Sequence, residues 1–355
     1  MRYIGNKTKL LGFIGRTLSG RGIRTGEALD PFCGTASVAR FLKRRGFRVL
    51  ASDIMEYARV FARAWVEVSD PPRFPLLRRE LGLRSDSLRA VLAWLNRAPG
   101  EPGFIHEHYT PAGVDGGRHG RMYFTADNGE RIDAVRTALH RWRRSSLIDD
   151  DGHDVLLAAL IEAADRVANT TGVYAAFVKS WQPNALHPIE LRAPVLVRGN
   201  GCAAVRADAI DLVRSRADFE LLYLDPPYNG RQYPGYYHVP EVIATGWFDG
   251  EPVTRGKTGL IRDDSKRSEW SRRGACETAF ETLVAAGRWR RLVLSYNGEG
   301  IIPEATIERV LRDQGRRGTY RRYRRGYRRY RSDADGEGRR YRGDTVEEYL
   351  YCVDR

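Results

Sequence analysis

Apolar residues along this chain fall into two rhythms. Short β-prone runs, at 28–29, 48–51, 221–224 and 292–296, end in aspartate, proline or other polar residues. Longer stretches repeat their apolar positions at helical spacing, as Leu156, Leu160, Ala164 and Val167 do. The first rhythm predicts a strand running into 30–34, a helix over 36–45 and a second strand over 48–51 that closes at Ser52-Asp53. That is a βαβ unit at the start of an open, mostly parallel sheet. Ligands of such sheets sit beyond the carboxyl ends of the strands, where Asp30, Gly34, Asp53 and Asp225 would gather.

Between 70 and 200 the rhythm changes. Pro71, Pro72 and Pro75 break the chain, and predicted helices over 87–95, 131–143 and 155–168 flank a Gly- and His-rich loop over 99–120. The interval has no βαβ pattern of its own and reads as an inserted, mainly helical module. Alternation resumes after 200 with a turn at Asp208, a strand over 219–224, helices over 239–244 and 275–287, and a strand over 292–296. The chain thus divides into 1–69 and 201–355, forming one α/β domain, and the insertion 70–200. Over 316–342, Tyr320, Tyr323, Tyr327 and Tyr330 stand among arginine pairs. Their spacing suits one helix face, but tyrosine content and Gly326 favour a strand, with 346–353 as its antiparallel hairpin partner.

Composition narrows the function classes. The 355 residues are 42% hydrophobic, enough for a large α/β core. Formal net charge is +14, supplied mainly by arginine, whose planar fork pairs with phosphate oxygens and base edges, so a polyanion is the expected partner. Four dispersed cysteines, Cys33, Cys202, Cys276 and Cys352, offer neither a disulfide framework nor a zinc site, and no metal is expected. The N-terminus lacks an apolar signal region and no run approaches a membrane span, which makes the cytoplasm the expected location.

The most informative chemistry lies at Leu222-Tyr223-Leu224-Asp225-Pro226-Pro227-Tyr228, an apolar run that delivers a carboxylate, two prolines and an aromatic ring. Two prolines fix their own φ and cannot donate to a ladder, so the Asp225 carboxylate and the Pro226 carbonyl both stand ready to accept hydrogen bonds beside the flat face of Tyr228. A planar group carrying an NH2, such as an adenine or cytosine edge, fits that set. A plain strand and Pro-Pro turn with a packed tyrosine is the alternative. In the other half, Asp30-Pro31-Phe32-Cys33-Gly34-Thr35-Ala36-Ser37 lacks a full G-x-G-x-x-G, so a nucleotide-like ligand without phosphates fits better than a dinucleotide. S-adenosylmethionine is such a ligand, with Asp53 at the second strand end for its ribose hydroxyls. A dinucleotide or a purely structural unit remains open from this half alone.

Taken together, these segments resemble the alpha-group, Dam-like DNA adenine-N6 methyltransferases, in that family's order and over most of the chain. Arg2-Tyr3-Ile4-Gly5-Asn6-Lys7-Thr8-Lys9 resembles the N-terminal motif whose Gly and Lys lie against the cofactor, residues 30–37 resemble the cofactor loop, and Asp225-Pro226-Pro227-Tyr228 resembles the catalytic tetrapeptide. The resemblance implies a Rossmann-like S-adenosylmethionine-dependent methyltransferase fold. Cofactor contacts would come from Tyr3, Gly5, Lys7, the 30–37 loop, Asp53 with Ile54, Asp208 with Ala209, and Asp225. Two departures stand out: Asn6 occupies a position where many relatives have Gly, and Ala36 replaces the second Gly of the loop.

The same resemblance makes 70–200 the target-recognition module. Candidate DNA contacts are Lys179 in that module, Arg231 and Tyr233 after the tetrapeptide, and Arg321, Arg322, Arg324 and Arg325 in the Arg/Tyr tract, whose alternative is a solvated edge hairpin; a lone lysine or histidine such as Lys179 or His187 is more often a surface or satisfied core residue. Trp142, Trp247 and Trp289 read as packing. The expected activity is transfer of a methyl group to N6 of a flipped adenine in duplex DNA, as the modification partner of a separately encoded restriction endonuclease, by a protein that is favoured to be a monomer. A cytosine-N4 or RNA adenine methyltransferase, or a silent DNA-binding recognition subunit, are the alternatives.

Overall fold

A computed structural model describes residues 1–199, 201–216, 218–261, 263–328 and 345–355. Its strands, in chain order, are β1 (Gly26–Asp30), β2 (Phe47–Asp53), β3 (Ala203–Arg206), β4 (Phe219–Leu224), β5 (Thr254–Arg255), β6 (Leu260–Ile261), β7 (Trp289–Asn297), β8 (Arg321–Arg328) and β9 (Thr345–Asp354). The chain forms two compact units, one of Met1–Gly5, Met55–Arg198 and Tyr233–Ser265, the other of Asn6–Ile54, Gly199–Gln232 and Lys266–Arg355.

The second unit is built on a seven-stranded sheet of order β3-β2-β1-β4-β7-β9-β8. β3, β2, β1, β4 and β7 run parallel, while β9 is antiparallel to β7 and β8 antiparallel to β9. Strands covered on both faces need near-continuous apolar runs, and Leu221 to Leu224 are all buried, as are Ala28 and Leu29 opposite them. The chain winds outward from β1 through β2 to β3 and then returns beside β1 with β4. The sheet order therefore reverses between β1 and β4, the point at which open α/β sheets bind ligands. One core cluster packs helices Ala209–Ser215, Ala275–Ala286 and Glu304–Gln314 on Leu222, Leu224, Leu292 and Leu294.

The expected α/β sheet with its C-terminal hairpin is thus present, and the Arg/Tyr tract enters it as β8, with Gly326 opposite Glu347. Residues 329–342 of that tract, Tyr330 included, lie outside the described residues. The helix after β1 is Ser37–Arg44 and begins one residue late because Ala36 takes a left-handed φ of 56°. Helices Leu11–Gly20 and Glu304–Gln314 and strand β3 were not anticipated from the pattern.

The first unit is mainly helical. Ala126–Arg144 and Asp150–Val167 are its long helices, opened by Thr125 accepting from Asn128 N at 3.3 Å and by Asp149 accepting from Gly152 N at 2.7 Å. Both start earlier than the apolar repeat suggests, because their first turns carry polar residues. The loop expected over 99–120 instead contains two short helices, Phe104–Tyr109 and Val114–Arg118. The first is anchored by the buried Asp133, whose carboxylate accepts from Gly103 N, Ile105 N and His106 N at 2.9, 2.8 and 2.8 Å. The unit gathers more than the interval 70–200: Arg2 ties the first residues to it through Asp165 Oδ2 and Thr170 O, at 2.7 and 2.8 Å, and Tyr174 N donates to Tyr236 O at 2.7 Å.

Candidate active site

The carboxyl ends of β1, β2 and β4 bring the sheet unit's expected site residues together. Asp30 ends β1, Asp53 ends β2, and Asp225 follows directly after β4. Between β1 and helix Ser37–Arg44 the loop is pinned from three sides. Cys33 N donates to Ser52 O at 2.9 Å, Gly34 N to Asp53 Oδ2 at 3.0 Å, and the Phe32 ring meets Trp270 edge-on at 4.8 Å. Gly34 has a φ of 49°, which glycine adopts without strain. Ala36 takes the same left-handed region with its methyl fully buried, so the departure from glycine keeps the turn. Asn6 binds into this loop as well: its Nδ2 donates to Thr35 Oγ1 at 3.3 Å while its Oδ1 accepts from Thr8 N at 2.8 Å.

The residues present fit a polar ligand at this loop. Asp30 is buried, and its Oδ1 has no hydrogen-bond partner. Burial pushes its carboxyl well above the usual carboxylate range, and the charges of Asp225 and Asp53 push the same way against a backbone hydrogen bond from Phe32. A buried acceptor left unpaired is costly unless something donates to it, which a ligand ammonium or hydroxyl beside the loop would do. Asp53, half-buried with Oδ2 on Gly34 N, is placed to receive hydroxyls at the adjacent strand end. Asp208 is exposed and caps helix Ala209–Ser215, its Oδ1 accepting from Ile210 N at 2.8 Å and Asp211 N at 3.3 Å.

Lys7 forms the centre of a second cluster, beside the tetrapeptide. It is 3% exposed, and its Nζ stands 3.1 Å from Asp225 Oδ1 and in direct contact with Glu348 Oε1. Ser295 Oγ donates to the same Glu348 oxygen at 2.8 Å, and the Lys7 ammonium lies 5.7 Å from the centroid of the Tyr228 ring. Burial alone would discharge Lys7, but the carboxylates of Asp225 and Glu348 outweigh it and hold the ammonium protonated well above the ordinary lysine range. Burial pushes Asp225 up to about 7; Lys7 opposes that shift and Glu348 adds to it. The Asp225 side chain keeps 17% exposure, so an incoming group can reach it. Tyr228 is half-buried and packs against the core cluster without being enclosed by it. A carboxylate held by a lysine, a rigid Pro-Pro corner and an accessible aromatic face can grip a planar amino-bearing ring.

Glu348, Ser295 and Tyr223 were missed by sequence reasoning. Glu348 sits in a tail read only as an edge-strand partner, and its signal is a carboxylate in register with the buried Leu350 and Cys352. Other expected residues fall elsewhere. Tyr3 and Gly5 belong to the helical unit, where Tyr3 stacks on Tyr237 at 4.7 Å and Gly5 has a φ of 80°. Lys179 and His187 are exposed residues of that unit, which also holds Tyr233, whereas Arg231 is exposed in the sheet unit. Trp142 is buried and Trp247 stacks on Phe104 at 5.5 Å, within the helical unit. Trp289 is buried in the sheet unit. On β8, Arg321 donates to Gly318 O and Tyr320 O at 2.9 and 2.7 Å, Arg322 pairs with Glu304, and Arg324 lies 3.9 Å from Glu347.

Comparison with known proteins agrees with this geometry. The family model described as D12 class N6 adenine-specific DNA methyltransferase matches residues 3–271. The type II methyltransferase M.NlaIII of Neisseria lactamica is 33% identical over 361 residues, covering all of this chain and 99% of that protein. The type II methyltransferase M.FokI of Planomicrobium okeanokoites is 32% identical, with all of this chain spanning about half, 53%, of its length. The modification methylase LlaI of Lactococcus lactis subsp. lactis is 32% identical over 85% of this chain and 47% of its own length. With the aspartate-proline-proline-tyrosine corner set at the sheet's switch point and a match over most of its length, the chain belongs to the D12 class of N6 adenine-specific DNA methyltransferases.

Proposed function

We propose that this protein moves the methyl group of S-adenosylmethionine to N6 of an adenine extruded from duplex DNA, and that it is the modification half of a type II restriction system whose endonuclease is encoded separately. The observation that carries this reading is the meeting of Asp225, Lys7 and the Asp30 loop at the switch point between β1 and β4. When bound, S-adenosylmethionine supplies an electrophilic methyl carbon on a sulfonium. Asp30 and the turn through Gly34 and Ala36 would hold its amino-acid end, Asp53 its ribose, and the Asp208–Ala209 corner its adenine. Asp225 and the Pro226 carbonyl would accept the two N6 hydrogens of the target base, turning the nitrogen lone pair toward the methyl carbon. Tyr228 would stack on the extruded ring. Asp225 would accept the proton that N6 gives up in exchange for the methyl group and pass it to solvent. Positioning and preset dipoles account for most of the rate in this scheme, with no covalent enzyme intermediate.

The net charge of +14 supports a phosphate-binding surface that offsets the unstacking cost of a few kcal/mol. The arginines of β8 are candidates for it, although Arg321, Arg322 and Arg324 already have protein partners. Asp225→Ala is expected to lower methyl transfer to duplex DNA by at least about a thousandfold while calorimetry still detects cofactor binding. N6-methyladenine as the product nucleoside would support the reading. Retained turnover in the variant, or N4-methylcytosine as product, would overturn it.

A further inference from the structure

Buried on the side of Lys7 away from the tetrapeptide is a charged group that the reaction as described does not use. Glu348 lies on β9 opposite Asn297 of β7, is 1% exposed, and holds Lys7 through Oε1 while Ser295 Oγ donates to the same oxygen at 2.8 Å. Its second oxygen, Oε2, is buried without a partner, and so is the hydroxyl of Tyr223 on β4. A carboxylate withdrawn from water and only partly paired is a poor device for stability, since an apolar side chain in register with Leu350 and Cys352 would pack there at no desolvation cost.

Its geometry serves the site instead. Lys7 has two carboxylates to satisfy, and the one on β9 fixes where the ammonium stands relative to the one after β4. With Lys7 on Oδ1 of Asp225, the acceptor left for the amino group of the base is the second oxygen. We infer that Glu348 is a positioning residue for methyl transfer: with Ser295 it orients the Lys7 ammonium against Asp225 and shares its charge, so that Asp225 stays an effective acceptor rather than half of a tight ion pair. This inference rests on the proposed role of Asp225.

The groups facing Asp225 are Lys7 from the N-terminal segment, Glu348 from β9, Tyr223 from β4, Asp30 from β1 and the Tyr228 ring beyond the corner. Removing the charge of Glu348 leaves Lys7 to act on Asp225 alone, which favours ionised Asp225 and lowers its pKa. The active form is the carboxylate, so the rate climbs as pH rises through that pKa, and losing Glu348 moves the climb to lower pH.

The test is the single-turnover methyl-transfer rate on duplex DNA, followed across the neutral pH range for wild type, Glu348→Gln and Ser295→Ala. Cofactor affinity is measured by calorimetry and folding by circular dichroism. Glu348→Gln is expected to move the acidic midpoint down by on the order of one pH unit and to lower the plateau rate by roughly tenfold, with cofactor affinity changed by less than about threefold. Ser295→Ala leaves the Glu348 charge in place but withdraws a donor from it, so Glu348 draws harder on Lys7 and the midpoint is expected to move the opposite way, upward, by less. Should Glu348→Gln fail to fold, the midpoint of Ser295→Ala decides. Folded variants with the wild-type midpoint and plateau would overturn the inference, whereas a wild type with no methyl transfer would overturn the proposed function instead.

Discussion

The two units of this protein bury carboxylates in opposite ways. In the helical unit the buried carboxylates are saturated: Asp133 accepts three backbone N–H groups, and Asp154 takes Arg59 Nη1 at 2.8 Å and His153 Nδ1 at 2.9 Å. Arg121, fully buried there, spends its guanidinium on Lys257 O, His108 O, Gly256 O and Asp115. In the sheet unit the cluster at the strand ends is left incomplete. Among the described residues, the buried carboxyl oxygens without a partner are Asp30 Oδ1 and Glu348 Oε2, and both belong to that unit. A saturated buried charge holds the fold in place. An unsaturated one leaves capacity for something that arrives later.

That contrast can be broken most forcefully at Asp133. Asp133→Ala strands the N–H groups of Gly103, Ile105 and His106 and is expected to cost about 3 kcal/mol of stability, read by chemical denaturation. A loss under about 1 kcal/mol would mean that saturation there is incidental. A smaller effect is expected from acid. Burial works against the ionised form of Asp154, yet the hydrogen bond to His153 and the Arg59 guanidinium hold its pKa down at about 2. Because the folded value lies below the unfolded one, its contribution of about 2 kcal/mol is present above pH ~4 and lost as pH falls toward ~2. Asp154→Asn should remove that part of the acid dependence, which thermal melts at graded pH would detect. The smallest change in stability is expected at Asp30. Asp30→Asn replaces a buried, crowded carboxyl group whose ionised form is disfavoured, and should alter stability by less than about 1 kcal/mol while weakening cofactor binding by at least roughly tenfold. A strong destabilisation with unchanged affinity would place Asp30 with the saturated group.

What could be read in advance follows the range of the interactions. Strand ends with their prolines, the 30–37 loop and the Asp225 corner are written in adjacent residues, so run length and backbone chemistry suffice to place them. The described part of the Arg/Tyr tract, Arg321–Arg328, was legible as a strand because tyrosine content and Gly326 outweighed a helical spacing. Helix Leu11–Gly20 carries Gly12, Gly15 and Gly20, residues that weaken a helical pattern. Gly15 is there because the Phe41 ring packs so close that a Cβ would sit 2.9 Å from its Cζ. The alternation with Leu350 and Cys352 marks Glu348 as inward-facing, but its role could not be found locally, since its partner Lys7 lies 341 positions away. For the same reason the helical unit's borders escaped, because Tyr174 with Tyr236 and Arg2 with Asp165 join segments that no local pattern connects.

The placement of β9 carries a consequence for biogenesis. A chain that has formed its parallel strands but not this one already owns its loop, its prolines and Asp225, but its lysine lacks the counter-charge at 348 and β7, the outermost parallel strand, lacks a neighbour. The site is therefore complete only once β9 pairs with β7 and brings together two charges that stand 341 positions apart along the chain.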